Sequence, residues 1–265
     1  MAERCAAQYA FRYRHGLKQP PSAAIVRGKA VDDEQTKQVG NRINGDPMDS
    51  VSEAKDHAVH LVERSFLEDE VVTSPDEGED EIKDQVVRYV DTAYEAIWEP
   101  VTDPVAVQEK IRMELPDGEG GTMELLGYSD LRTLAGIRDL KTTKRKWPAG
   151  KEASEKQAQV YGVWDLLRTG NEGTEFTYDI LIGRKNGEVV YDQRTVPVTL
   201  ESAQPVFREL IWRHNIVTRQ DQVAEQHGED VAFPPNRGSF LCSRRWCGFW
   251  SSCEAKFPAL GPVKE

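Results

Sequence analysis

An α/β fold is predicted by three features of the chain. The stretch before Pro100 carries apolar residues at helical spacing, three strand-like runs then follow one another directly, and a helix, a hairpin and a long helix complete the pattern. Pro20-Pro21-Ser22 introduces a helical segment over Ala23 to Val39, with Ser22 as its cap. A second helix is predicted near Val51 to Phe66, and the acidic Thr73 to Gly78 stretch breaks the pattern as a solvated loop. Ile82, Val86, Val90, Ala93 and Ile97 then give Ile82 to Trp98 an apolar stripe.

The strand-like runs are Ala106 to Leu115, Met123 to Leu134 and Ile137 to Thr143, separated by Pro116-Asp117-Gly118 and Ala135-Gly136. They are expected to form an antiparallel meander. Ala153 to Leu167 returns to helical composition, Phe176 to Ile182 and Val189 to Val198 read as a hairpin turning at Lys185-Asn186-Gly187, and Ser202 to Gln226 makes a long helix. The tail from Phe233 to Pro258 is rich in Pro, Gly, Cys and Trp and has no period, so something other than secondary structure is expected to order it.

At 265 residues the chain can bury one substantial core, and it is read as a single domain over 1–265. No apolar run approaches the roughly 20 residues that a membrane span needs, and Met1 to Lys18 holds no continuous apolar stretch of a secretory signal. A cytoplasmic, reducing setting without a membrane partner is expected. The net charge of -11 argues against coating of nucleic acid. The acid is nevertheless concentrated between Glu68 and Glu81, whereas Arg138 to Lys151 and Arg237 to Arg245 are basic, so a polarised surface is open to the fold.

The chemistry centres on Gly127-Tyr128-Ser129-Asp130 and, after a turn, Asp139-Leu140-Lys141. If Ala135-Gly136 is a two-residue turn, Asp130 lies opposite Lys141 and Arg132 opposite Asp139. Residues two apart on a strand share a face, so Asp130, Asp139 and Lys141 would project together. Two carboxylates within reach of one hard cation, beside an ammonium, suit phosphodiester hydrolysis. Exposed salt bridges are the commoner fate of such a triplet.

The succession of G-Y-S-D, D-L-K and a helix bearing Gln157 and Tyr161 resembles the RecB-like PD-(D/E)XK nucleases. The resemblance implies a restriction-endonuclease-like core over about 23–228, a central mixed sheet flanked by helices. It implies that Asp130 and Asp139 hold Mg2+ or Mn2+, that Lys141 is catalytic, and that Gln157 and Tyr161, four residues apart on one helix face, approach the site and the DNA backbone. The family's glycine-then-histidine pattern departs here: Gly28 is followed four residues later by Asp32. Asp32 can replace the imidazole with an oxygen ligand, which favours Mg2+ or Mn2+, although Asp33 could serve instead or the ligand could be lost. Glu109 stands where related nucleases often carry an acid near the metal, and is otherwise a surface charge.

The four cysteines are Cys5, Cys242, Cys247 and Cys253, three of them within twelve residues and one almost a chain length away. Such thiols suit a tetrahedral or cubane site that clasps the termini. The arrangement resembles the iron-sulfur nucleases, among them AddB, exonuclease V, the CRISPR-associated four-cysteine nucleases and phage-encoded relatives, with Cys5, Tyr9, Phe11 and Tyr13 similar to the family's entry segment. That likeness implies a 4Fe-4S cluster held between 1–22 and 233–258, with zinc as the alternative.

Lys144, Arg145, Lys146 and Trp147, together with Arg237, Arg244, Arg245 and Trp246, interleave cations with aromatics, a composition suited to single-stranded DNA. The function expected is a DNA exonuclease acting on single strands or duplex ends in phage recombination or repair, with recombination proteins as possible partners. Spacer processing alongside CRISPR-adaptation proteins uses the same residues. A noncatalytic DNA-binding or scaffold protein with a structural metal cluster is the alternative from another class.

Overall fold

The computed structural model describes residues 5–73, 77–244 and 246–257. In chain order, α1 (Ala6–Tyr9) runs into a π-helical turn over Ala10–Arg14, and α2 (Ala23–Asn44), α3 (Val51–Glu68) and α4 (Glu79–Ala93) follow, the last extended by a π-helical turn over Tyr94–Trp98. Then come β1 (Pro104–Pro116), β2 (Thr122–Thr133), β3 (Gly136–Thr143), α5 (Lys151–Ser154), α6 (Lys156–Thr169), β4 (Gly173–Gly183), β5 (Val189–Thr199), α7 (Leu200–His227), α8 (Glu229–Ala232) and α9 (Trp250–Lys256). Local chemistry fixes several of these boundaries. Ser22 accepts a bond from the Ile25 amide at the start of α2, and Ser50 with Glu53 forms a reciprocal capping box on α3. Gly45, at φ 82°, ends α2 in the left-handed conformation that glycine adopts without a Cβ penalty.

Contacts divide the chain into two compact units, Pro21–Glu209 and a second made of Met1–Pro20 with Leu210–Glu265. The first is a five-stranded sheet in the order β1-β2-β3-β4-β5. The β1-β2-β3 meander is antiparallel, α6 carries the crossover to the parallel partner β4, and β5 returns as a hairpin. The α/β class and the mixed sheet flanked by helices therefore hold. On one face α2, α3 and α4 pack through Val31, Val62, Val86 and Trp98 against Leu131, Leu140 and Leu181. On the other, α6 packs through Ala158 and Val163 against Ile137, Phe176, Tyr178 and Val198. Residues 139 and 141 share the α6 face with Ile137, because alternate positions of a strand face alike.

One expectation of register is corrected. The turn between β2 and β3 is Leu134-Ala135, and the pairs are Leu131↔Arg138, Arg132↔Ile137 and Thr133↔Gly136. Gly136 is not a turn residue, because it already belongs to the parallel ladder opposite Glu175. At φ 144° it lies so close to that strand that a Cβ would stand 2.1 Å from the Glu175 carbonyl oxygen. Continued along the strands, this register sets Asp139, rather than Lys141, across from Asp130.

A second irregularity falls on the same line. Ile111 and Met113 of β1 pack on the α6 side, yet Val107, of the same parity, packs on the α2 side. The reversal falls at Gln108, the one non-glycine among the described residues with positive φ, 48°. A bulky residue held there costs about 1–3 kcal/mol of backbone strain.

In the second unit, Ala6 and Ala10 pack with Ala232 and Phe233, while Ala7 and Phe11 pack with Phe249 and Cys253. The tail, read as aperiodic, holds the short α9, which carries Cys253. Glu229 gathers Arg14, His15 and Lys256; burial alone would raise its carboxyl, but hydrogen bonds from these partners hold it down to about 2. Among the described residues no helix is long and apolar enough to cross a membrane.

Two outcomes test this packing. A Cβ on Gly162 of α6 would stand 2.7 Å from Val198, so Gly162→Ala should destabilise the first unit by about 1–3 kcal/mol despite a better helix propensity. An unchanged urea midpoint would show that α6 does not sit this close to β5. Glu229 is depressed, so its contribution is full above about pH 4.5 and fades as pH falls toward about 2. Glu229→Gln should accordingly lower the melting temperature at pH 7 and have little effect near pH 2, measured by circular dichroism.

Candidate active site

Asp139 and Lys141, side by side on β3, meet Gln157 from the first turn of α6. Gln157 Nε2 donates to Asp139 Oδ1 at 2.5 Å, Lys141 Nζ donates to Gln157 Oε1 at 3.1 Å, and Lys141 Nζ lies 2.5 Å from Asp139 Oδ2. The last approach is an ion pair, and the ammonium is the partner of that buried carboxylate oxygen. Asp139 is 1% exposed. Tyr161, one helical turn after Gln157, sets its hydroxyl beside the Tyr128 amide and the Gln157 side chain. A Cβ on Gly127 would stand 2.8 Å from that hydroxyl, so the glycine of G-Y-S-D makes room for the tyrosine.

Asp130 reaches across where the β2-β3 ladder stops: its Oδ2 accepts from the Leu140 amide at 2.9 Å, between Asp139 and Lys141. Asp32 comes from α2. Gly28, one turn earlier, lets that helix approach β3, since a Cβ there would be 3.2 Å from Thr142 Oγ1. Both Asp32 carboxylate oxygens accept from the Gln108 amide, at 3.2 and 3.0 Å. The strained Gln108 thus faces Asp130 across the ladder and binds Asp32 through its side chain.

The electrostatics are those of anions drawn together out of water. Burial, then repulsion from Asp130, Asp33 and Asp139, pushes Asp32 up to about 7. Burial likewise raises Asp130 and Asp139 above the ordinary carboxylate range, although Lys141 opposes it. Burial would lower Lys141, but Asp139 and Asp130 override it and keep the ammonium charged.

The other residues singled out in the sequence are placed as follows. Glu109 is held by Arg132 through both guanidinium arms. Lys144 pairs with Glu77 at 2.6 Å, and Arg244 with Glu254 at 3.3 Å, while Lys146 is exposed. Trp147 is corrected: expected as a stacking surface, it is buried, its ring 5.0 Å from Tyr178 in the α6-side core. Arg245 lies outside the described residues. Gln108 was missed, because nothing in Val107-Gln108-Glu109 marks the position at which the strand reverses its faces.

In the second unit, Cys5, Cys242, Cys247 and Cys253 line one small cavity, all four as free thiols. Gln8 Nε2 donates to Cys247 Sγ at 3.2 Å and the Asn236 amide to Cys5 Sγ at 3.4 Å. Burial raises the Cys242 and Cys253 thiols, and Arg237 opposes it.

A pair of adjacent acids on neighbouring inner strands, a lysine two residues on, and a glutamine-tyrosine helix closing over them agree with the match of residues 2–254 to the PD-(D/E)XK nuclease superfamily. The chain belongs to that superfamily. This PD-(D/E)XK chain also shares its fold with a crystal structure from Eubacterium rectale, provisionally described as an exonuclease, at TM-score 0.53 and 14% identity over 98% of this chain and 84% of that one. No curated protein matches it. Among the described residues of this superfamily member, no group of three or more acidic, histidine or cysteine side chains is placed to hold a metal ion. The carboxylate oxygens of Asp32, Asp130 and Asp139 are engaged by the Gln108 and Gln157 amides, Lys141 and the Leu140 N–H.

The raised Asp32 carboxyl has a measurable consequence. A folded pKa above the ordinary 3.8 means that stability present at acid pH is lost as pH rises from about 4 to about 7. Without divalent cations, Asp32→Asn should raise the melting temperature at pH 8 and leave it nearly unchanged at pH 4. Equal effects at both pH values would show that Asp32 is not held in a repulsive cluster.

Proposed function

We propose that the protein is a metal-dependent DNA nuclease of the RecB-like branch, an exonuclease acting on single strands or duplex ends. The observation that carries this reading is the convergence of a buried Asp139 with the half-buried Asp130 and Asp32, mutually repelling, beside a charged Lys141. Buried like charges are costly unless a cation joins them, and an all-oxygen donor set suits Mg2+ or Mn2+. Asp130, Asp139 and Asp32 would hold the ion. Glu109 stays outside the proposed shell, because Arg132 already neutralises it. Such an ion, when bound, supplies a more acidic water and neutralises charge on the phosphate.

The chain's own residues supply the rest. Lys141, kept charged and tied to Gln157, places an ammonium where negative charge develops on the phosphate. Gln157 fixes both Asp139 and Lys141, so that rotation of either side chain is restricted before substrate arrives. Tyr161, anchored at the Tyr128 amide, walls the site on the α6 side. Arg145 and Lys146, with Lys144, Arg244 and Arg245, are the proposed contacts to the DNA backbone; Trp147 contributes packing to that segment.

The four cysteines are proposed to hold a 4Fe-4S cluster in the second unit. Support comes from four free thiols around one cavity and from N–H donors to two of the sulfurs, a pattern favourable to thiolates. The role proposed for it is structural, joining segments from both ends of the chain.

Two experiments decide these readings. Asp139→Ala should abolish Mg2+- or Mn2+-dependent degradation of labelled DNA while leaving folding intact, and Lys141→Ala should lower turnover by about 10²–10³-fold. Wild-type rates in either folded variant would end the proposed mechanism. Anaerobically purified protein should contain about four irons per chain and absorb in the visible, and Cys253→Ser should lose both. Stoichiometric zinc without iron would replace the cluster by a zinc site.

A further inference from the structure

Beyond the carboxylates, the first unit contains a cleft of about 500 Å³ lined by Arg88, Lys144, Arg145, Arg184 and Lys185, with Glu81 as its acid. Three separate elements build it. Arg88 comes from α4, Lys144 and Arg145 from the segment leaving β3, and Arg184 and Lys185 from the turn joining β4 to β5. The turn closes on the helix: Gly187, at φ 85°, is placed so that a Cβ would lie 3.7 Å from the Arg88 guanidinium carbon. Tyr89 ties the floor together, donating to the Thr143 carbonyl at 2.9 Å and accepting from the Gly183 amide at 3.0 Å. The cleft therefore lies at the C-terminal ends of the two parallel strands, the end at which α/β sheets commonly bind ligands.

Its charge is unusual for this chain. The protein as a whole carries -11, yet here five cations surround one lining carboxylate. Lys144 is paired with Glu77 and Arg184 with Glu188, while Arg88, Arg145 and Lys185 make no ion pair among the described residues. Glu81 is occupied by Gln85, whose amide donates to it at 2.7 Å. Three unneutralised cations converging from three elements are costly in the absence of an anion. The volume lies within the roughly 300–1,000 Å³ usual for a small-molecule or nucleotide site.

We propose that this cleft is a phosphate subsite for the substrate strand, separate from the carboxylate centre and made by Arg88, Arg145 and Lys185. The inference rests on the nuclease reading for the identity of its ligand, a nucleotide phosphate. That phosphate is either the terminal one or one internal to the backbone. Arg184 and Lys144, already paired, add field rather than a direct bond.

The test uses the full chain with Asp139→Asn to prevent cleavage, and measures binding of a short fluorescent single-stranded oligonucleotide at several salt concentrations. The added Arg145→Ala/Lys185→Ala pair lies in exposed segments and should weaken binding about tenfold or more. It should also reduce the slope of log affinity against log salt by about 0.7, the value for one phosphate left without its cations. Arg88→Ala, checked for folding by circular dichroism, should weaken binding further. A charge-matched control, Arg64→Ala/Arg112→Ala, should bind as the parent does. Inorganic phosphate should compete with the oligonucleotide on the parent and lose that ability on the cleft variants. A preference for an oligonucleotide with a terminal phosphate over its hydroxyl twin supports terminal capture, and equal binding supports an internal phosphate. Parent-like affinity and salt slope in the cleft variants, or an equal loss in the control, would overturn the subsite. Failure of the nuclease reading looks different: tight, phosphate-competed binding at the cleft with no metal-dependent cleavage by the Asp139-bearing chain would refute the enzyme and leave the subsite standing.

Discussion

The burial of Asp139 is the constraint on which the rest of the first unit depends. A carboxylate 1% exposed on the α6 face of β3 cannot be satisfied by water, so its surroundings must supply the partners. Gln157 and Lys141 provide them, and each is positioned by an element with its own packing. Gln157 requires α6 to lie close against the sheet, which Gly162 and Gly127 permit by omitting a Cβ against Val198 and Tyr161. Lys141 shares the α6 face with Asp139 and Ile137 because alternate residues of β3 face alike.

A second layer of the same problem involves the other two acids. Asp130 takes the Leu140 amide just where the β2-β3 ladder ends, so the sheet opens and a side chain completes its edge. Asp32 is held by Gln108, whose positive φ marks the point at which β1 changes the face it presents to the core. Backbone strain of this kind persists only where surrounding structure determines it, and it commonly accompanies functional sites. Here the strain, the end of the ladder and the repulsion among carboxylates coincide within one region. Their coincidence supports reading the region as a site prepared for a cation rather than as a surface salt bridge.

Much of this was legible in the sequence because periodicity and turn chemistry are local. The meander, the crossover helix, the β4-β5 hairpin and the Ser22 cap follow from spacing and composition, and Asp130, Asp139, Lys141, Gln157 and Tyr161 stand together in space as the motif resemblance led one to expect. The register of β2 on β3 was not legible, because whether Gly136 belongs to the turn or the ladder is decided by Glu175, nearly forty residues away. Trp147 reads as a surface aromatic among lysines, but it closes the α6-side core, a fact set by Tyr178. Gln108 carries no sequence signal, since its conformation is imposed by both sheet faces at once. The basic cleft was half visible: Lys144 and Arg145 stood out as a run, whereas Arg88 and Lys185 join them only through the packing of α4 against the β4-β5 turn.

Whether the clustered acids form one cation site is tested most directly by anomalous scattering from a crystal soaked in Mn2+. A single strong peak is expected within bonding distance of Asp130 and Asp139, with Asp32 released from Gln108 and turned toward the ion, and the peak should vanish in Asp139→Asn. Carboxylates that keep their glutamine and lysine partners with no anomalous density between them, at Mn2+ concentrations that saturate other carboxylate sites, would contradict it.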